Sequence, residues 1–199
     1  EYYLHRAGGN AELSYLCTHS LAEDFNRATA RWQLGVTMPL AMQEHHQSYI
    51  AMDPLSAANL KWVNHIYAAD LASYDQVREY AETILRDYDR LDILINNAGI
   101  HLAPEDGRQI SADGHELTFA VNYLSGFLLT RIQLPRIISS APSRIINVSS
   151  RGQRNAVIDF DNVMLERDYN DSQAYRQSKL AQVMFTFDLA RELEGTGVI

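Results

Sequence analysis

From about residue 66 onward, short continuous apolar runs alternate with stripes of apolar residues at helical spacing. That alternation predicts strands and helices taking turns, the pattern of a parallel α/β sheet. His65–Ala69 reads as a short strand ending at Asp70, and Ser73 opens the capping pattern S-Y-D-Q ahead of a helix. Val77, Tyr80, Ala81, Ile84, Leu85 and Tyr88 then fall at i, i+3, i+4, i+7, i+8 and i+11, a single buried stripe. L-D-I-L-I (91–95) is a buried strand that runs into N-N-A-G. Residues 114–138 carry a long helix closing near Pro135, R-I-I-N-V-S is the next strand, and Ser178–Glu194 is the next helix. That last helix is expected to bury Leu180, Val183, Met184 and Phe187 on one face, with Gly195 and Gly197 ending it.

The first 65 residues carry weaker periodicity. Leu13–Thr18 reads as a strand, Leu21–Trp32 as a helix, Gly35–Met42 as a second strand interrupted by Pro39, and Ser56–Asn64 as another helix. With no repeat and no low-complexity linker, one domain over residues 1–199 is expected, its 1–65 part atypical. The chain begins at Glu1 and stops at G-V-I, partway into what reads as a strand. A fragment or processed chain is the expectation, with a sheet incomplete at its C-terminal end.

Composition narrows the classes. At 46% hydrophobic and 21% charged residues the chain is an ordinary globular one. Its formal charge of −8 argues against a nucleic-acid surface, which needs concentrated Lys and Arg. No apolar run reaches membrane-spanning length, so no membrane span is expected. The lone Cys17 cannot form an internal disulfide, which fits a reducing, cytoplasmic setting. Seven histidines form no metal-ligand pattern, and no metal site is expected.

Chemistry enters with Tyr175 and Lys179 in Y-R-Q-S-K. Four residues apart on a helix, they lie on one face. A free phenol has a pKa of about 10, and a fixed ammonium beside it makes the proton easier to lose. Such a pair suits the exchange between an alcohol and a carbonyl, although an exposed helix pair has the same spacing. N-N-A-G at 96–99 permits close backbone approach by a ligand, or simply a tight β-to-α turn. Asn122, amid apolar neighbours in T-F-A-V-N-Y-L, is either a structural bridge or a site group. Ser149 and Ser150 end a strand, where doubly wound sheets present site residues and where serine also caps turns.

In this order and spacing, D-L-A-S, N-N-A-G, the helix asparagine, N-V-S-S and Y-x-x-x-K resemble the short-chain dehydrogenase/reductase family over about residues 66–199. A-D-G-H-E-L-T-F-A-V-N-Y-L and A-P-S-R-I-I-N-V-S-S-R-G are most similar to its retinol-dehydrogenase-like branch and bacterial relatives. The resemblance implies a Rossmann-like, doubly wound parallel sheet in three α/β/α layers and an NAD(P)-dependent oxidoreductase. Its substrate would be a small-molecule alcohol or carbonyl compound. Tyr175 would exchange the hydroxyl proton, and Lys179 would lower the tyrosine's pKa and hold the nicotinamide ribose. Ser150 would bond the carbonyl oxygen, and Asn122 would hold a water leading from Lys179. Asp70 would meet the adenine edge, and Asn97, Ala98 and Gly99 would lie along the cofactor. Residues 151–174 would form part of the substrate wall or a surface excursion. Relatives pair through the helices matching 114–138 and 175–194, so a homodimer or homotetramer is implied. Glu44 after the second strand favours NAD slightly over NADP.

The pattern departs at the phosphate turn. The family's T-G-x-x-x-G-x-G is here T-H-S-L-A-E-D-F-N, with His19, Asp24 and Asn26 in place of the glycines. Bulky side chains obstruct a pyrophosphate, and Glu23 and Asp24 add like charge. Two rival readings therefore stand beside the enzyme: a truncated or defective relative that binds no cofactor, and an interaction module.

Overall fold

The structure, a computed structural model, describes residues 15–18, 35–37, 67 and 69–199. Four strands, β1 (Tyr15–Thr18), β2 (Gly35–Thr37), β3 (Ile93–Asn96) and β4 (Arg144–Asn147), form one sheet in the order β2-β1-β3-β4. All three pairings are parallel, with Leu16 opposite Gly35 and Leu94, and Ile95 opposite Ile146. Strand β1 thus lies mid-sheet between β2 and β3, the arrangement whose carboxyl edge forms a crevice in doubly wound folds. Both N-terminal strands fall within the expected segments. The expected helices over Leu21–Trp32 and Ser56–Asn64, and the rest of Gly35–Met42, lie outside the described residues.

Helix α1 (Tyr74–Asp87) begins where S-Y-D-Q predicts, with Ser73 Oγ accepting from Gln76 N–H at 3.5 Å. The reciprocal half of the cap is diverted, because Gln76 Oε1 accepts from Asp70 N–H instead. The predicted stripe is buried through Val77, Tyr80, Ala81 and Ile84. Of the expected strand at His65–Ala69, His65, Ile66 and Ala68 lie outside the described residues, and Tyr67 and Ala69 are not in a strand. Tyr67 packs edge-on against Tyr80 and Tyr88, and its hydroxyl donates to Asp87 at 2.8 Å.

The next helix is continuous but uneven. An α-helical turn, α2 (Leu117–Phe119), passes into a π-helical segment, Ala120–Leu124, and then into α3 (Ser125–Ser139). It starts three residues later than expected, because Gly114 takes a left-handed φ of 82° and Glu116 supplies the cap. The fully buried Glu116 carboxylate accepts from Thr118 and Phe119 N–H. Pro135 does not close this helix but sits inside it. The carbonyl its ring leaves unbonded belongs to exposed Arg131, where water can serve it. The end comes at Ser140, whose buried hydroxyl donates to Arg136 O and accepts from Leu91 N–H.

Helix α4 (Asp171–Glu192) begins seven residues before the expected Ser178, capped by Asn170 on Gln173 N–H. The expected face is only partly covered: Leu180 and Val183 are half-buried. Met184 and Phe187 are exposed, while Ala174, Gln177, Ser178, Ala181, Gln182, Phe185 and Leu189 are buried. Small and amide side chains let α4 approach its neighbours closely, which an apolarity count cannot reveal. Gly195 and Gly197 end it with φ of 79° and 81°, as expected. Val198 then bridges Ser143 in parallel beside β4.

Leu94 and Asn96 of β3 face the helices: Leu94 joins Leu129 and Ile137 in the core, and Asn96 donates to Thr130 Oγ1. The other face of β4 is more open, with Ile146 exposed. The described helices therefore make one layer on one face of the parallel sheet, and the carboxyl ends of β3 and β4 open beside α4.

Candidate functional site

The site grows from two strand ends. β3 finishes in Asn96 and leads into Asn97-Ala98-Gly99, and β4 leads through Val148 into Ser149-Ser150. Asn96, first of the N-N-A-G run, is structural. Its Nδ2 donates to Thr130 Oγ1 and to Asn147 Oδ1, both at 2.8 Å. Asn147 in turn donates to Thr186 of α4, so one amide chain ties β3, β4, α3 and α4 together.

The first cluster surrounds Lys179. Its side chain is 4% exposed, and Nζ donates to Val148 O at 3.2 Å. Among the described residues no carboxylate lies within 4.0 Å of this ammonium. Burial lowers its pKa from the ordinary 10.5 to about 8, because a charge taken from water without a partner favours its neutral form. Gly99 explains why N-N-A-G ends in glycine: a Cβ there would stand 3.1 Å from Lys179 Nζ and 3.4 Å from Asn122 Oδ1.

Asn122 lies in the π-helical segment, a distortion common at functional sites. Its Oδ1 accepts from Ile100 N–H at 2.7 Å, and Nδ2 donates to Ile100 O at 2.9 Å and to Ser178 Oγ at 3.0 Å. Both ends of the amide are thus satisfied by protein. The side chain makes a structural bridge, pinning the loop after β3 to α4 one residue before Lys179.

The second cluster surrounds Tyr175. Ser149 is committed to structure, its hydroxyl donating to Lys179 O at 3.0 Å. Ser150 Oγ accepts from Gly152 N–H at 3.1 Å and caps the 3-10 turn Arg151–Gln153. Capping uses a lone pair, so the hydroxyl proton of Ser150 stays available. Gly152 packs so closely that a Cβ would lie 3.1 Å from Tyr175 Cε1 and 3.5 Å from Ser150 Oγ. Tyr175 is half-buried, and its hydroxyl has no protein partner among the described residues. Lys179 Nζ stands 5.9 Å from the Tyr175 ring centre.

Ser150, Tyr175, Lys179, Asn122 and Gly99 therefore converge, with Ala98 buried beside Asn122 and Asn97 half-buried at the strand end. Asp70 stands apart, at the start of α1, and makes no described contact with that set. Its Oδ1 accepts from Ala72 N–H at 2.9 Å, which shapes the turn. The segment 151–170 wraps over α4: Gln177 Nε2 donates to Val163 O and Arg108 to Met164 O, while Val157 and Phe160 stay exposed. Sequence reasoning missed Gly152 and His101, both of which touch Tyr175. A glycine two residues beyond Ser150 was the available signal for the first. His101 had none. Among the described residues no three metal-ligating side chains converge, and no helix is long and apolar enough to cross a membrane.

Parallel strands ending in a serine and a glycine-tipped turn, facing a helix with tyrosine and lysine one turn apart, define an α/β protein of the short-chain type. The family model for short chain dehydrogenase matches residues 51–199, and the chain belongs to that family. Human retinol dehydrogenase 13 is 48% identical over 130 residues, which cover 65% of this chain and 38% of that protein. Mouse retinol dehydrogenase 11 is 37% identical over 166 residues, covering 83% of this chain and 52% of that protein. The chain thus spans about 38% to 52% of the length of these curated relatives. Among solved structures, an uncharacterized protein from Mycobacterium Paratuberculosis superposes with a TM-score of 0.71 at 28% identity, over 94% of this chain and 66% of that one. The Pseudomonas aeruginosa RhlG/NADP active-site complex matches at a TM-score of 0.64 and 24% identity, over 98% of this chain and 72% of that one, a likeness of fold.

Proposed function

We propose that this chain carries the catalytic half of an NAD(P)-dependent oxidoreductase that interconverts an alcohol and a carbonyl compound. The observation that carries the reading is a buried ammonium with no counter-anion among the described residues, one helical turn from a half-buried phenol whose hydroxyl has no partner among them. A desolvated cation of this kind is costly unless a ligand completes its shell. The residues fit the ribose end of a nicotinamide cofactor: Gly99 has no side chain to crowd Lys179 Nζ, and that ammonium, bonded to Val148 O, has donors to spare for hydroxyl oxygens.

When bound, the nicotinamide supplies or accepts the hydride. The remaining work falls to side chains of this chain. Ser150, its lone pair engaged by Gly152 N–H, donates its proton to the substrate oxygen and orients it. Tyr175 gives that oxygen a proton in reduction and takes one in oxidation. Lys179 would hold the nicotinamide ribose, and Asn122 fixes the backbone around it, with a water path from Lys179 as the role its family position suggests. Asn97, Ala98 and Gly99 would line the cofactor and Asp70 would meet its adenine edge.

Retinol and its aldehyde are the first substrates to try, since the curated relatives are retinol dehydrogenases. NAD is slightly preferred on Glu44, which lies outside the described residues. Pairing of copies through α2–α3 and α4 is part of the proposal, supported by exposed Phe127, Met184 and Phe187. A cytoplasmic setting and the single-domain organisation belong to it too. The defective-relative reading keeps one specific support, the acidic T-H-S-L-A-E-D where a glycine turn is expected. Titrating NADH and NADPH into the purified chain, read by fluorescence transfer, separates the two. Saturable binding with retinal-dependent oxidation of the cofactor is expected, and absence of binding for both cofactors overturns the enzyme reading.

A further inference from the structure

His101, two residues beyond Gly99, has no part in the chemistry described above. Its imidazole stacks on the Tyr175 ring, with centres 4.6 Å apart and planes inclined by 22°. Asp171, one turn before Tyr175 on α4, brings Oδ2 to 3.4 Å from His101 Nε2. The imidazole thus has its face against the phenol and an edge toward a carboxylate that the same helix presents. Gly152 crowds the phenol at Cε1 and Cδ1. His101 is the one ring stacked on Tyr175 among the described residues.

The torsion that sets the plane of a tyrosine ring has a broad energy well, so packing rather than rotamer preference must fix it. Tyr175 is half-buried and its hydroxyl has no hydrogen-bond partner among the described residues, so neither the core nor a described hydrogen bond does this. A proton donor held loosely loses rate, since a displacement of about 1 Å can cost on the order of 10²-fold.

We propose that His101 is a positioning residue for Tyr175: steered by Asp171, its imidazole clamps the plane of the phenol that handles the proton. The clamp is a property of the folded chain, and its effect on turnover rests on the oxidoreductase reading. His101 is half exposed, so replacing it removes little of the core.

The test has two arms. Proton NMR of tyrosine-labelled protein reads the Tyr175 ring, assigned by the signal lost in Tyr175→Phe. In the wild type, ring current from the imidazole moves the Tyr175 ring protons upfield. His101→Ala should abolish that displacement, His101→Phe should keep it by supplying another flat face, and Asp171→Ala should reduce it. Turnover is the second arm: His101→Ala should lower kcat about 10- to 100-fold with KM and cofactor affinity nearly unchanged, and His101→Phe should recover most of it. Unchanged Tyr175 signals in His101→Ala overturn the clamp, as does an unchanged kcat in that variant. If the wild type turns over nothing, the oxidoreductase reading fails, and the NMR arm still decides the clamp.

Discussion

Tyr175 and Lys179 sit one turn apart on the same helix and live in opposite surroundings. Lys179 is 4% exposed, enclosed by Val148 O, Gly99 and the Asn122 amide. Tyr175 is half-buried, touched by Gly152 and His101, with its hydroxyl free. Under the proposed function the difference divides the labour. A group that must hold a ligand for the whole cycle benefits from a fixed, desolvated position. A group that must gain and lose a proton at each turnover needs a route to solvent and to substrate.

The sharpest way to break that division is to remove the phenol oxygen alone. Tyr175→Phe keeps the ring against His101 and Gly152 but deletes the proton donor. Turnover should fall about 10²- to 10⁴-fold, while cofactor affinity and thermal stability barely move. Steady-state kinetics beside a binding titration checks both halves. Near-wild-type turnover would refute the proton role of Tyr175, and a parallel loss of binding would refute the division itself.

The lysine half is tested through stability, because its burial has a thermodynamic cost independent of catalysis. A pKa lowered from 10.5 to about 8 corresponds to about 3 kcal/mol of penalty on the folded state. That penalty is present in full below pH 8, where folded and unfolded chains both carry the proton. Lys179→Met removes it but strands Val148 O, which costs about 1 kcal/mol. The variant should therefore be more stable than the wild type by about 1–2 kcal/mol at pH 7. Between pH 8 and 10.5 the folded wild type has shed a proton that the unfolded chain retains, so its stability rises with pH. The advantage of the variant should shrink across that window and reverse above it. Urea unfolding at a series of pH values measures this. A variant less stable than the wild type at pH 7 would mean that the ammonium is not desolvated as the geometry implies. Cofactor affinity should fall in the same variant, a site group maintained against stability.

Much of this arrangement was legible in the residues, and the failures have a common cause. Ser73, the Val77-to-Ile84 stripe and the two glycines after α4 were readable because a cap, a periodicity and a left-handed turn are local events. The convergence of Ser150, Tyr175, Lys179 and Asn122 was readable because their order and spacing follow a family pattern. Three errors came from packing between distant segments. Met184 and Phe187 are apolar yet exposed, because α4 buries its alanine, serine and glutamine face. Tyr67 lies outside any strand, against the rings of Tyr80 and Tyr88. Pro135 was tolerated because the carbonyl it orphans faces water. His101 belongs with these, since nothing local says that a histidine after N-N-A-G-I will lie on a tyrosine 74 residues onward. The phosphate turn from His19 lies outside the described residues, although β1 and β2 pair in parallel on either side of it.

The smallest effects should come from the two glycines, and they sharpen the contrast most. Gly99 and Gly152 each stand where a methyl group would meet a neighbour at 3.1 Å, Lys179 Nζ in one case and Tyr175 Cε1 in the other. Such a contact asks the neighbour to shift by a few tenths of an ångström, so each alanine variant should lose only about 1 kcal/mol, the low end for overpacking. The functional consequences should nonetheless differ in kind. Gly99→Ala presses on the ammonium proposed to hold the ribose, so cofactor binding should weaken while the Tyr175 ring signal stays unchanged. Gly152→Ala presses on the phenol and on Ser150 Oγ, so kcat should fall with cofactor affinity intact. Measuring Kd for the cofactor and kcat for the carbonyl in both variants gives the comparison directly. If both alanines weaken binding and turnover in the same proportion, the two ends of this one helical turn act as a single unit, and the separation of holding from proton transfer is wrong.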